Sequence, residues 1–197
     1  MNHLAHALIA DPGGVEFALG SALGDFTHGH PDPAWPAARQ AGLRFHRAID
    51  IFTDAHPEVV SARALFDPPL RRYAGILLDV WFDHLLARDF ARWSAEPLRD
   101  FSRRWLDLLD ARTAELPRAL HEFLAFMHTH GLPAAYGDDA MIGRVLLGIA
   151  ARLSHPSPVG AALPVLRERA VPLQRHFDAF FPELVARARD LRANLLA

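Results

Sequence analysis

The sequence predicts an all-α fold, a compact single-domain helical bundle spanning residues 1–197. Apolar residues recur mostly at spacings of three and four, as in Leu43, Ala48, Ile49 and Phe52, or Phe101, Trp105, Leu108 and Leu109, which is the period of a helix with one buried face. Sustained alternation of apolar and polar residues, the strand signature, is missing. A chain of 197 residues suits one core that buries roughly 70% of the unfolded surface.

Helices are expected near residues 14–27, 39–53, 57–66, 69–93, 97–111, 117–129, 138–153 and 161–194, the last broken at Pro172 or Pro182. Pro31, Pro33 and Pro36 stiffen the loop after the first of these. Gly131-Leu132-Pro133 with Tyr136-Gly137-Asp138-Asp139, and Ser154 to Pro158, mark two further loops. None is long enough to join two domains.

Composition excludes several function classes. A formal net charge of −2 gives no basic excess to gather nucleic acid or anionic lipid. There is no cysteine, so disulfides, thiolate nucleophiles and sulfur-ligated zinc are all excluded, and any metal must sit on oxygen and imidazole. There is no lysine either, so phosphate must be held by arginine or by backbone N–H groups. The apolar stretch 75–82 is interrupted by Asp79 and falls far short of the roughly 20 residues that span a bilayer. Residues 1–10 carry His3 and His6 where a secretory signal needs a basic start and an unbroken apolar run, so a cytoplasmic location is expected.

Three segments carry chemistry. His46, Asp50 and Asp54 fall four residues apart on one helical stripe, where two carboxylates repel unless a cation lies between them. The same pattern also fits a solvated polar face with Asp54 capping the next helix. Asp79, Asp83 and His84 are embedded in Gly75 to Leu86, a helix apolar nearly all round and therefore buried. A buried carboxylate costs several kcal/mol unless paired or coordinated. Either a metal or an arginine from another helix resolves that cost. Asp25, bracketed by Gly24 and Gly29, follows the N-terminal His3 and His6, and it equally fits a helix-terminal cap.

Asp and His clusters without sulfur suit a borderline-hard divalent ion such as Mn2+, Mg2+ or Fe2+. Such an ion serves phosphate-ester hydrolysis by acidifying and orienting a water, with Arg47 as the best-placed clamp on the phosphate. His28, His30, His121, His128 and His130 read as loop, surface or core residues. No Walker, Rossmann, HExxH or GxSxG motif occurs.

These segments resemble the bacterial acyl carrier protein phosphodiesterase family, also called acyl carrier protein hydrolases. The resemblance runs through Asn2, Leu4-Ala-His6, Gly20, Asp25-Phe26, His46-Arg47, Ile49-Asp50, Thr53-Asp54, Leu78-Asp79-Val80, Asp83-His84 and Ala151-Arg152, in order along most of the chain. It is weak from about 98 to 137, and Trp81-Phe82 departs from the family pattern. The resemblance implies distant kinship with helical HD-type phosphohydrolases. It also implies a Mn2+-dependent conversion of holo acyl carrier protein to the apo form with release of 4′-phosphopantetheine. The metal ligands it implies are Asp25, His46, Asp79, Asp83 and His84, with Asp25 alternatively the base, Asp50 orienting a ligand and His6 assisting as an acid. Acyl carrier proteins are acidic, so a docking patch is expected from Arg39, Arg44, Arg71, Arg72, Arg103 and Arg104. Two other readings fit the same residues: an HD-type enzyme acting on a nucleotide or other small phosphoester, and a non-catalytic module that binds carrier protein.

Overall fold

The computed structural model describes residues 3–197, so Asn2, the first residue of the family resemblance, lies outside the described residues. Ten α-helices joined by short 3-10 turns make up the described chain, and no strand occurs among the described residues. In chain order they are α1 (His3–Ala10), α2 (Val15–Ala22), α3 (Ala37–Ala55), α4 (Pro57–Ala64), α5 (Ala74–Arg88), α6 (Leu98–Asp110), α7 (Arg118–His130), α8 (Asp139–Arg152), α9 (Leu163–Glu168) and α10 (Ala170–Leu196).

Helix α5 is the hub. Eleven of its fifteen residues are buried, from Ala74 to Ala87, which is what its nearly unbroken apolar sequence requires. Phe82 meets Phe177 and Phe180 of α10 at centroid distances of 5.4 and 6.0 Å, and α1 packs against both α5 and α10. Helix α10 also closes on α3 and α4, where His56 pairs with Glu183 at 3.2 Å and His176 with Glu58 at 2.7 Å.

Helices α2 and α3 make the closest approach. A methyl group on Gly20 would lie 2.0 Å from the Arg39 carbonyl oxygen, and one on Gly42 would lie 2.0 Å from that of Phe17. The two backbones therefore touch where side chains are absent. Glu16 on α2 accepts from the Arg39 guanidinium at 2.8 Å, and Glu115 accepts from the same group at 2.6 Å. Arg39 is consequently buried at 4% exposure, so the sequence expectation that it belongs to a surface patch does not hold.

The expected helix over 69–93 is interrupted. A 3-10 turn at Leu70–Tyr73 precedes α5, and another at Phe90–Arg92 follows it. The C-terminal break falls at Arg169 rather than at a proline. Pro172 sits in the first turn of α10, where its missing N–H would have had no intrahelical partner, and Pro182 is carried within the same continuous helix. Helix α1 was not among the expected elements.

Candidate metal centre

Two turns of helix and one tight bend bring the chemistry together. His46 and Asp50 stand one turn apart on α3, His6 projects from α1, and Asp25 lies in the 3-10 turn Gly24–Phe26 that follows α2. Gly24 makes the approach possible, since a Cβ there would sit 2.1 Å from the His46 ring.

Asp50 divides its two oxygens between two imidazoles. Oδ1 lies 3.0 Å from His6 Nε2, and Oδ2 lies 3.1 Å from His46 Nε2. Asp25 Oδ1 approaches the same His46 nitrogen at 3.3 Å. The two rings stack with centroids 3.9 Å apart and planes within 17°. One ligand atom from each of His6, His46 and Asp50 lies within 4.8 Å of the others, a spacing that a single ion can bridge.

Latching α1 in place falls to Asp83. This carboxylate is 0% exposed and accepts the backbone N–H groups of Leu4 at 2.8 Å and Ala5 at 3.1 Å. Burial pushes its pKa up to about 7 even against these two bonds, and its oxygens cap the first N–H groups of α1 just before His6. Asp79, one turn earlier on α5, is close enough to Asp50 for the two charges to interact. His84 points elsewhere: its Nδ1 lies 2.8 Å from the Tyr136 carbonyl oxygen, and its Nε2 lies 3.7 Å from Asp139. It lines a separate cleft with Arg88 and Arg167, and it pins the turn Ala134–Gly137 to α5.

Arg47 donates to the carbonyl oxygens of Gly29 at 2.5 Å and Thr27 at 2.8 Å, bracing the loop behind Asp25. His3, one helical turn before His6 on α1, borders the site as well. Its Nδ1 is 3.9 Å from Asp25 Oδ2, and its ring lies against Phe123 of α7, with centroids 4.1 Å apart and planes tilted by 36°. A slot of about 20 Å3, room for about one water, opens among these groups and is walled by Trp105, Leu109, Leu120, Phe123 and Met127. The i, i+3 spacing of His3 and His6 was the signal for this pair, visible once residues 3–10 are read as a helix.

A family model described as acyl carrier protein phosphodiesterase matches residues 1–184. The chain belongs to the acyl carrier protein phosphodiesterase family. The acyl carrier protein phosphodiesterase of Photorhabdus laumondii is 30% identical over 194 residues, covering 96% of each chain. Proteins of the same name from an Enterobacter species and from Escherichia coli O139:H28 are each 32% identical, covering 96% and 95% of this chain and 98% and 97% of their own. No solved structure matches the chain significantly. No helix among the described residues is long and apolar enough to cross a membrane.

The electrostatics of this family member's site centre on one proton. Burial works against a charged His46, yet hydrogen bonds to Asp25 and Asp50 carry its pKa up to about 9. Burial, reinforced by the charge on His46, holds His6 down to about 4. Burial likewise takes His3 to about 4. Burial would raise Asp25 and Asp50, but the His46 hydrogen bond brings Asp25 to about 2, and bonds to His46 and His6 hold Asp50 far below the ordinary carboxylate range. The cluster thus demands positive charge beside Asp50, and without an ion a proton supplies it. Two imidazole nitrogens and two carboxylates form a nitrogen and oxygen donor set that suits a divalent ion of borderline hardness. The gathered residues could hold a divalent ion, though His6 and Asp50 stand in it where the sequence reading placed Asp83 and His84.

Proposed function

We propose that this chain hydrolyses the phosphodiester that joins 4′-phosphopantetheine to the serine of holo acyl carrier protein, giving the apo protein, with a divalent ion, Mn2+ by preference, held by His6, His46, Asp50 and Asp25. Family membership and relatives named for this activity support the reaction class. The carrying observation is the division of Asp50 between two stacked imidazoles that come from separate helices.

An ion held there would supply charge neutralisation for the phosphoryl oxygens and a more acidic water. The protein's own groups do the rest. Asp25 has a half-exposed side chain, so it is the carboxylate that faces an incoming substrate and can accept a proton from water. With an ion in place of the proton on His46, Nε2 of His6, Nε2 of His46 and an Asp50 oxygen would hold it together rather than bond to one another. Asp83 sets the height of α1 and hence of His6, acting as a positioning residue, as does Arg47 through the loop at 27–29. His84 lies outside this arrangement.

A chain without lysine must meet phosphate with arginine. Arg152, exposed at the end of α8, has its guanidinium 5.9 Å from the Phe126 ring and its charge helps to depress His3. We assign the phosphate clamp to this arginine, whose charge reaches His3 at the wall of the slot. Of the expected patch, Arg103 pairs with Asp100 at 2.8 Å and Arg104 with Glu96 and Asp11, whereas Arg44, Arg71 and Arg72 face solvent. The acidic carrier protein has those three exposed cations to meet.

Mass spectrometry of holo acyl carrier protein incubated with the enzyme and Mn2+ tests the reading. The expected product has lost the whole phosphopantetheine group, and His46→Ala abolishes the loss. Holo protein left intact with every divalent metal tried, beside turnover of a nucleotide phosphoester, would overturn the substrate assignment.

A further inference from the structure

A second cavity, of about 280 Å3, lies between α1, α6 and α10, on residues distinct from those of the candidate metal centre. That volume is just under the roughly 300 Å3 at which small-molecule pockets begin. Its floor is apolar: Ile9 at the end of α1, Phe101 on α6, and Val185 and Ala188 on α10. Trp93 forms a side wall, and its buried indole N–H has no hydrogen-bond partner among the described residues.

The charges around this cavity are unevenly spent. Asp11 and Glu96 on one rim are both bound by Arg104, at 2.6 and 2.8 Å, and that guanidinium also lies over the Phe101 ring at 5.3 Å. On the other rim stand Arg189 and Arg192, one turn apart on α10. Arg192 donates to the Ile9 carbonyl oxygen at 2.7 Å and has no carboxylate partner among the described residues. Arg189 has only Asp190, at 4.0 Å, the outer limit of an ion pair. Burial and the neighbouring Arg189 make the charge on Arg192 harder to hold, which is the condition that an added anion relieves.

We propose that this cavity binds a small amphipathic anion, a single carboxylate or phosphate on a short apolar tail, with its head on Arg189 and Arg192 and its tail against Trp93, Phe101 and Val185. Two guanidiniums beside an apolar floor match such a molecule in both charge and shape. The ligand rests on the end of α1, the helix that carries His6 at its middle.

Octanoate, octyl phosphate and 1-octanol serve as probes, read by isothermal titration calorimetry and by melting temperature. Octanoate or octyl phosphate should bind and raise the melting temperature, the tighter of the two naming the head group, while octanol binds at least about tenfold more weakly for want of the charge-assisted contacts. Arg189→Gln should weaken anion binding about tenfold. Val185→Trp should abolish it by filling the cavity. Neither variant touches the hydrogen bond that Arg192 gives Ile9, so both should keep the circular dichroism of the parent. His46→Ala, which removes the candidate centre, should leave anion binding unchanged, so failure here and failure of the hydrolase reading are separable. Equal binding of octanol and octanoate, unchanged affinity in both cavity variants, or loss of binding in His46→Ala would each overturn the proposal.

Discussion

Asp83 accepts the backbone N–H of Leu4 at 2.8 Å across 79 residues of sequence, and that bond fixes where His6 stands. Asp83→Ala leaves the N–H groups of Leu4 and Ala5 unpaired in a buried place, at a cost of about 2–4 kcal/mol. Chemical denaturation should show that loss. Mn2+ affinity should fall with it, because α1 shifts. Asp83→Asn keeps an acceptor and should land between the two. An Asp83→Ala protein with parental stability and metal affinity would contradict the latch.

Gly24→Ala tests the packing of the bend against His46. The added methyl lies far inside contact distance of the imidazole, and Asp25 is bound to that same ring, so ring and carboxylate cannot both keep their places. Activity should fall about 100-fold or more, consistent with misplacing a reacting group by about 1 Å. Circular dichroism should stay helical, since the clash is local.

Proton and metal compete at His46. Its pKa in the metal-free folded protein is about 9, against 6.5 for an ordinary histidine. The folded state therefore holds this proton more tightly than the unfolded chain does. The resulting stability is fully present below pH 6.5 and is lost as pH rises through about 9. Melting temperatures of metal-free protein should drop across that window, and His46→Gln should flatten the drop. A bound ion must displace the proton, so Mn2+ affinity should rise by about tenfold per pH unit over the same range. Calorimetry in buffers of different ionisation enthalpy will count the proton released.

His84 offers the sharpest contrast. It is buried and bonded to the Tyr136 carbonyl oxygen, away from the Asp50 cluster. His84→Gln should retain Mn2+ affinity and at least about half of the activity, with a stability loss of about 1–3 kcal/mol from the lost hydrogen bond. His46→Ala should instead lose activity by about 100-fold or more, and its metal-free form should also unfold at a lower denaturant concentration at neutral pH, because the stabilising proton beside Asp25 and Asp50 is gone. Equal losses in the two variants would place His84 in the chemistry.

The helix period exposed α3 and α5 at once, and with them the His46 and Asp50 stripe and the burial of Asp83. Burial showed that Asp83 needs a partner, but local spacing cannot distinguish a cation from two backbone N–H groups supplied 78 and 79 residues away. Helix α1 escaped notice because its eight residues are apolar on most sides and too short to hold a helix alone; tertiary packing and Asp83 stabilise it. For the same reason, the direct bond between His6 and Asp50, 44 residues apart, could not be read from sequence. Arg39 looked like any surface arginine until the close approach of α2 and α3 placed Glu16 beside it.

All four proposed donors, His6, Asp25, His46 and Asp50, come from the first 50 residues, and a later group, Asp83, holds the helix that carries His6. The wall facing them is made by α6 and α7, within the stretch where the family resemblance is weakest. The donors and the apolar wall opposite them thus lie on different parts of the chain. Substitutions at Trp105, Leu120 or Phe123 would reshape the slot while leaving the four donors on their own helices and bend.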